Sequence, residues 1–136
     1  MQDIFKTPSN VLFGIGIFDL LRGFMHTFLL TWSAEHIAKL DLSANTGEQL
    51  FLLGVFGISN FLTGIIFLVI SKKARTLSPY ILIIIPLAYL FGLIGIWSGG
   101  IHARAAFYGK YVMFTYFAIC ILTFCWFMIQ KQKIKH

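Results

Sequence analysis

The sequence predicts an all-α integral membrane protein: a bundle of four transmembrane helices with both termini in the cytoplasm. Three observations predict it. Hydrophobic residues make up 58% of the 136-residue chain and charged residues only 12%, with a mean hydropathy of +0.82, more apolar surface than a soluble domain of this size can bury. The apolar residues gather into four runs, each near the ~20 residues that a spanning helix needs. The lysines and arginines are spread unevenly over the joints between those runs.

The runs cover about 11–32, 50–70, 80–98 and 105–129. Their polar joints are short, so residues 1–136 read as a single membrane domain. The first run is long enough to span and charged at its centre, and no small-residue cleavage site closes it. It is therefore expected to stay in the mature protein. Between Ser33 and Leu42, apolar residues at Ala34, Ile37 and Leu40 predict a short helix lying in the outer interface. Thr46 and Gln49 fit a capping box opening the second span. Ser78 and Pro79 fit an N-cap and first-position proline for the third. Pro86 should kink that span, and Ser98, Gly99 and Gly100 should end it. Trp32, Tyr80, Trp97 and Trp126 fall near span ends, as interfacial aromatics do. There is no internal repeat and no low-complexity segment.

Charge sets the orientation. The joint between the second and third spans carries Lys72, Lys73 and Arg75, and the C-terminal tail carries Lys131, Lys133 and Lys135. The joint after the first span carries Glu35, Asp41 and Glu48 against Lys39. The positive-inside rule then places the termini and the Lys72–Arg75 joint in the cytoplasm of a cell-membrane protein, with the acidic joint outside. Arg104 and Lys110 run against the rule, either as anchors at the outer surface or as part of a site there. The net charge of +6 is mostly this topology signal. Its residues are split among joints and have no soluble face to gather on, so nucleic acid is not an expected partner.

Function concentrates in the first span. At ~100° per residue, Asp19, Arg22 and His26 share one narrow stripe near its middle, flanked by Gly16 and Gly23, which let another backbone approach. The bilayer centre disfavours ionised side chains unless they are paired or wetted. Asp19 and Arg22 stand three residues apart, where they can pair. His26 lies one turn toward the outside and supplies the side chain whose ordinary titration falls nearest neutral pH. The stripe reads either as a ligand or proton site in the bundle core or as a buried ion pair fixing the first helix to its neighbours. In the second span Asn60, with Ser59 and Thr63 nearby, reads either as a cross-helix hydrogen-bonding amide or as a wall of that site. Gly54, Gly57 and Gly64 allow close packing there. In the fourth span Arg104, Tyr108, Tyr111 and Thr115 form a second stripe. It reads as a cation and two phenols at the mouth of an outward-opening cavity, or as an interfacial belt with ordinary packing. Lys110 points elsewhere and snorkels.

Other chemistries lack their motifs. Glu35, His36, His102 and His26 have no metal-ligand spacing. Cys120 and Cys125 stand five apart on different faces of the fourth span, which disfavours a thiol oxidoreductase. His26 and His102 lie at different depths, a poor arrangement for haem. No nucleophile motif or phosphate loop is present, and the sequence identifies no cofactor.

Two stretches carry a resemblance to a known family: DLLRGFMHTF in the first span, and LGVFGISNFLTGIIFLVISKKAR in the second. They resemble the DoxX-like group of small four-helix membrane proteins. The second stretch is similar in its glycines around a mid-helix polar residue and in its apolar run closing on basic residues. Many members carry an acid where Asn60 stands, and that departure weighs against a proton-handling role at this position. The resemblance covers the first half of the chain and implies a four-helix bundle, often accessory to redox or quinone chemistry.

The expectation drawn from the residues is a small or amphipathic ligand, or a lipid-like one, held by Asp19, Arg22, His26 and Asn60, with Arg104, Tyr108 and Tyr111 at the mouth. Transport or sensing would follow, with a homo-oligomer if transport needs a wider pore. A redox accessory subunit holding a quinone between Arg22, His26 and Tyr111 is one alternative. A structural or partner-binding membrane protein is the other.

Overall fold

The computed structural model describes residues 3–43, 45–100 and 108–135, and among these the chain is helical, with no strand. Four helices are long and apolar enough to cross a membrane. They are α1 (Lys6–Phe28), α2 (Thr46–Lys73), α3 (Ser78–Ser98) and α4 (Gly109–Lys135). At 1.5 Å per residue, the 23 residues of α1 extend roughly 35 Å, enough for a ~30 Å hydrocarbon core.

The chain runs up and down. At one end Arg75 pairs with Asp3 at 3.2 Å, Phe5 packs on Phe127 at 5.4 Å, and Lys131 donates to the Tyr80 hydroxyl at 3.3 Å. This basic end therefore gathers the N-terminal residues, the α2–α3 joint and the end of α4. At the opposite, acidic end Lys39 lies over the Tyr108 ring at 4.7 Å.

Most elements lie close to their expected places, with local differences. After α1 a single helical turn, Leu30–Trp32, leads into a π-helical turn, Ser33–Ala38. This is a different object from the expected interfacial helix: Ser33, Ala34 and Ala38 are buried. The capping box does not form in the expected way. Asn45 precedes α2 without a side-chain capping bond, and the Thr46 hydroxyl donates to the Leu42 carbonyl at 2.6 Å. A 3₁₀ turn, Arg75–Leu77, precedes α3, so Ser78 is the first helical residue and Leu77 the N-cap. The helix continues through Pro86 to Ser98. Gly100 then takes φ 73°, the left-handed conformation open to glycine at a helix end.

The most extensive packing joins α1 to α2, and the next joins α3 to α4. Glycines explain the first. A Cβ on Gly16 would stand 3.0 Å from the Gly64 carbonyl oxygen, and one on Gly23 would stand 3.0 Å from that of Gly57. The two pairs lie seven residues apart on both helices, so the backbones meet at two successive levels, a small-residue contact of the kind membrane helices use. Below these contacts the Ser9 hydroxyl donates to the Ser71 carbonyl. Leu12, Ile15, Phe67, Leu82, Ile85 and Cys120 form the apolar core. Outside it, large apolar side chains point away from the bundle: Phe91 is 80% exposed, Phe51 70% and Leu122 69%.

Candidate functional site

The helix period of α1 sets Asp19, Arg22 and His26 on the face turned into the bundle, and all three are largely covered. The side chain of Asp19 retains 5% of its exposure and that of Arg22 13%. His26 is buried. Asp19 is the hub. Its Oδ2 accepts hydrogen bonds from the Thr63 hydroxyl of α2 at 3.1 Å and from the Tyr116 hydroxyl of α4 at 3.2 Å. Its Oδ1 meets Arg22 Nη1 at 3.5 Å. Three helices thus converge on one carboxylate.

Arg22 is held differently. Its ion contact is single and long, whereas a guanidinium can offer five N–H donors in a fork that matches a carboxylate or phosphate. Aromatic faces occupy its flanks: Phe18 at 5.7 Å and Phe56 at 5.2 Å. Tyr89 of α3 reaches it from a third side. His26 Nδ1 contacts the Ser33 hydroxyl at 2.6 Å, and the imidazole packs on Phe56 at 5.9 Å. The π-helical turn therefore has a place in the site, because it delivers the buried Ser33 to His26.

Arg22 and His26 open onto a chamber of about 310 Å³ near the acidic end. Its other walls come from four elements: Phe18 and Met25 of α1, Ile37, Ala38 and Leu40 of the joint, Leu53 and Phe56 of α2, and Gly109, Val112 and Met113 of α4. The chamber is apolar apart from one guanidinium and one imidazole. Its volume lies in the range of small-molecule pockets.

No family model, curated protein or solved structure matches this chain.

The expected site residues divide. Asp19, Arg22 and His26 come together as a column, but only Arg22 and His26 reach the chamber. Asn60 is 4% exposed. Its backbone carbonyl accepts a second contact from Thr63 at 3.2 Å, while its Nδ2 is buried with no partner among the described residues. Tyr108 and Tyr111 pack on each other at 6.1 Å, are 50% and 54% exposed, and do not line the chamber. Thr115 bonds back to the Tyr111 carbonyl at 3.2 Å. Lys110 lies over the Tyr111 ring at 5.1 Å. Arg104 and His102 lie outside the described residues. His36 stacks on Trp32 at 5.5 Å, and among the described residues no group of three metal-ligating side chains assembles.

Tyr116, Thr63, Phe56 and Ser33 are participants that the sequence reading did not assign. Tyr116 stands one position beyond the expected stripe on α4. The face turned inward carries Gly109, Val112, Met113, Tyr116 and Cys120, which recur at spacings of three and four. On α2 it is the Thr63 hydroxyl, and not the neighbouring Asn60 amide, that reaches Asp19.

Proposed function

We propose that this chain is a multi-pass protein of the cell membrane that binds a small amphipathic anion in the Arg22–His26 chamber, for transport or sensing. The observation that carries the proposal is Arg22. A guanidinium whose ion contact is single and long, with Tyr89 as a further partner, faces an otherwise apolar chamber, flanked by two aromatic rings. Such a place suits a ligand with one anionic group and an apolar body. The anionic group takes the guanidinium fork, and the imidazole of His26 offers a further polar contact. Asp19 balances the charge of Arg22 while the chamber holds no anion. Because Asp19 is turned away from the chamber and already accepts two hydroxyls, it does not compete for the same volume.

The basic residues at one end and the acidic joint at the other support cytoplasmic termini, which place the chamber in the outer half of the membrane. Four helices alone make a narrow pore, so transport would require a second copy. The resemblance to DoxX-like proteins agrees with this reading in its four helices. The quinone alternative has less support, since Tyr111 stands apart from Arg22 and His26.

Decanoate tests the proposal. It is titrated against the purified protein in phosphatidylcholine nanodiscs, and thermal unfolding is followed by tryptophan fluorescence. Ligand that binds only the folded state raises stability by RT ln(1 + [L]/Kd), about 2.7 kcal/mol at a hundredfold excess over Kd. Decanoate should raise the melting temperature of the wild type, and decanol should not. Arg22→Gln should lose the response. Equal responses in wild type and Arg22→Gln would refute the proposal.

A further inference from the structure

A second cavity lies on the flank of the bundle, between α1 and α4. It measures about 550 Å³ and includes Gly14, Ile15, Phe18, Val112, Thr115 and Tyr116 among its walls. Apart from the polar groups of Thr115 and Tyr116, it is apolar. Its notch is Gly14, where an added Cβ would meet nothing within 4 Å. Helices of this length and apolarity turn such a flank toward lipid.

Phe18 and Val112 line both this groove and the Arg22 chamber. Phe18 is the more telling of the two. Its ring packs at 6.1 Å against Tyr116 on the groove side, while the Arg22 guanidinium lies 5.7 Å from its centroid on the chamber side. One side chain therefore partitions two apolar volumes. One has a cationic end, and the other opens along the flank where acyl chains lie. A single rotamer change of this ring would join the two volumes.

We infer that the α1–α4 groove is a lateral portal that receives the acyl chain of a single-chain anionic amphiphile, a monoacyl carboxylate or its like, whose head group sits on Arg22 beyond Phe18. The inference rests on the proposed anion site and adds the class of ligand and its route. The ligand comes from within the bilayer, head group and chain arriving along one continuous apolar path. The guanidinium selects a planar anion, and the groove selects a chain longer than the chamber alone can hold. The hydroxyl of Tyr116 donates to Asp19, which ties the groove wall to the α1 column.

The test is photolabelling in phosphatidylcholine nanodiscs with a hexadecanoate that carries a diazirine at mid-chain, adducts being mapped by mass spectrometry. In the wild type, adducts should concentrate on groove residues such as Val112, Thr115 and Tyr116. Gly14→Phe starts from a position where an added Cβ meets nothing within 4 Å, projects a ring into the groove, and should lower that labelling by about tenfold, equivalent to about 1.4 kcal/mol. Gly14→Leu should lower it less. Both variants should keep the decanoate thermal response, which shows that the fold and the chamber are intact. Arg22→Gln should also lower groove labelling, because the head group loses its anchor. Labelling unchanged by Arg22→Gln would mean that the groove merely holds bulk lipid chains, and would overturn the portal. A decanoate response without groove labelling, or with labelling indifferent to Gly14→Phe, would overturn the portal and leave the anion site standing. No decanoate response in the wild type would remove both.

Discussion

The column on α1 can be separated into its parts by a double-mutant cycle on Asp19 and Arg22. Asp19→Asn preserves size and removes charge. The carboxylate holds two hydroxyl donors, from Thr63 at 3.1 Å and Tyr116 at 3.2 Å. A hydrogen bond to a charged group contributes about 1.5–3 kcal/mol and a neutral one about 1, so the exchange costs about 1 kcal/mol at each hydroxyl. Thr63 has a second acceptor in the Asn60 carbonyl at 3.2 Å, which softens its share. Removing one partner of a fully buried ion pair costs about 3–5 kcal/mol, but the Asp19–Arg22 contact is single, 3.5 Å long and partly open through Arg22. Its share is about 1 kcal/mol. Asp19→Asn should therefore lose about 3 kcal/mol in all.

Arg22→Gln should lose much less, about 1 kcal/mol, and the coupling between the two sites should also be about 1 kcal/mol. Reversible unfolding by SDS in mixed micelles, followed by far-ultraviolet circular dichroism, measures all four corners of the cycle. The site reading requires that Arg22 be structurally cheap, because a cation fully spent on its fold has nothing left for a ligand. If Arg22→Gln costs as much as Asp19→Asn, and the coupling accounts for nearly all of both, the pair is a fastening and the reasoning fails.

Three further outcomes are expected. Gly57→Ala would put a Cβ against Thr27 Oγ1 and 2.9 Å from the His26 carbonyl carbon; overpacking of this kind should cost about 1–3 kcal/mol in the same SDS titration, while Gly14→Ala, with open space around it, should be neutral or stabilise by up to about 1 kcal/mol. Asn60→Leu removes a buried amide whose Nδ2 has no partner among the described residues, so it should be neutral or stabilising, and a loss above about 2 kcal/mol would mean that the amide is bonded. With Cys120 and Cys125 replaced by alanine, a cysteine at Ser43 should react with a membrane-impermeant maleimide on intact cells and one at Lys73 only after lysis, the reverse pattern refuting the proposed orientation.

Much of the architecture is legible in the sequence, for a physical reason. Helices long and apolar enough to cross a bilayer need long unbroken apolar runs, and those runs become α1 to α4 with ends moved by a few residues. The stripe of Asp19, Arg22 and His26 is legible because polar residues stand out on an apolar helix, and their spacing fixes the face. The paired glycines are legible too, since Gly16 and Gly23 match Gly57 and Gly64 in spacing. The inward face of α4 is not. Apolar residues surround that helix on every side, so periodicity gives no phase, and tyrosines at 108, 111 and 116 compete for the same inward position. The stripe taken from Tyr108 and Tyr111 is one position out of step with the face that carries Tyr116. The link from His26 to Ser33 is equally hidden, because it depends on the register of a π-helical turn.

The arrangement also answers why a chain would keep both an acid and a base where each is costly. If Asp19 and Arg22 existed only to neutralise each other, the economical geometry would be a short, two-pronged pair sealed from any cavity. Instead the acid turns toward α2 and α4, where two hydroxyls hold it, and the base turns toward the chamber, where aromatic faces hold it. They touch through one long contact. The division lets the carboxylate fasten three helices while the guanidinium faces the chamber. Under the proposed function, an anion arriving at Arg22 would meet a cation already oriented, so that part of the ordering cost of binding would have been met in folding.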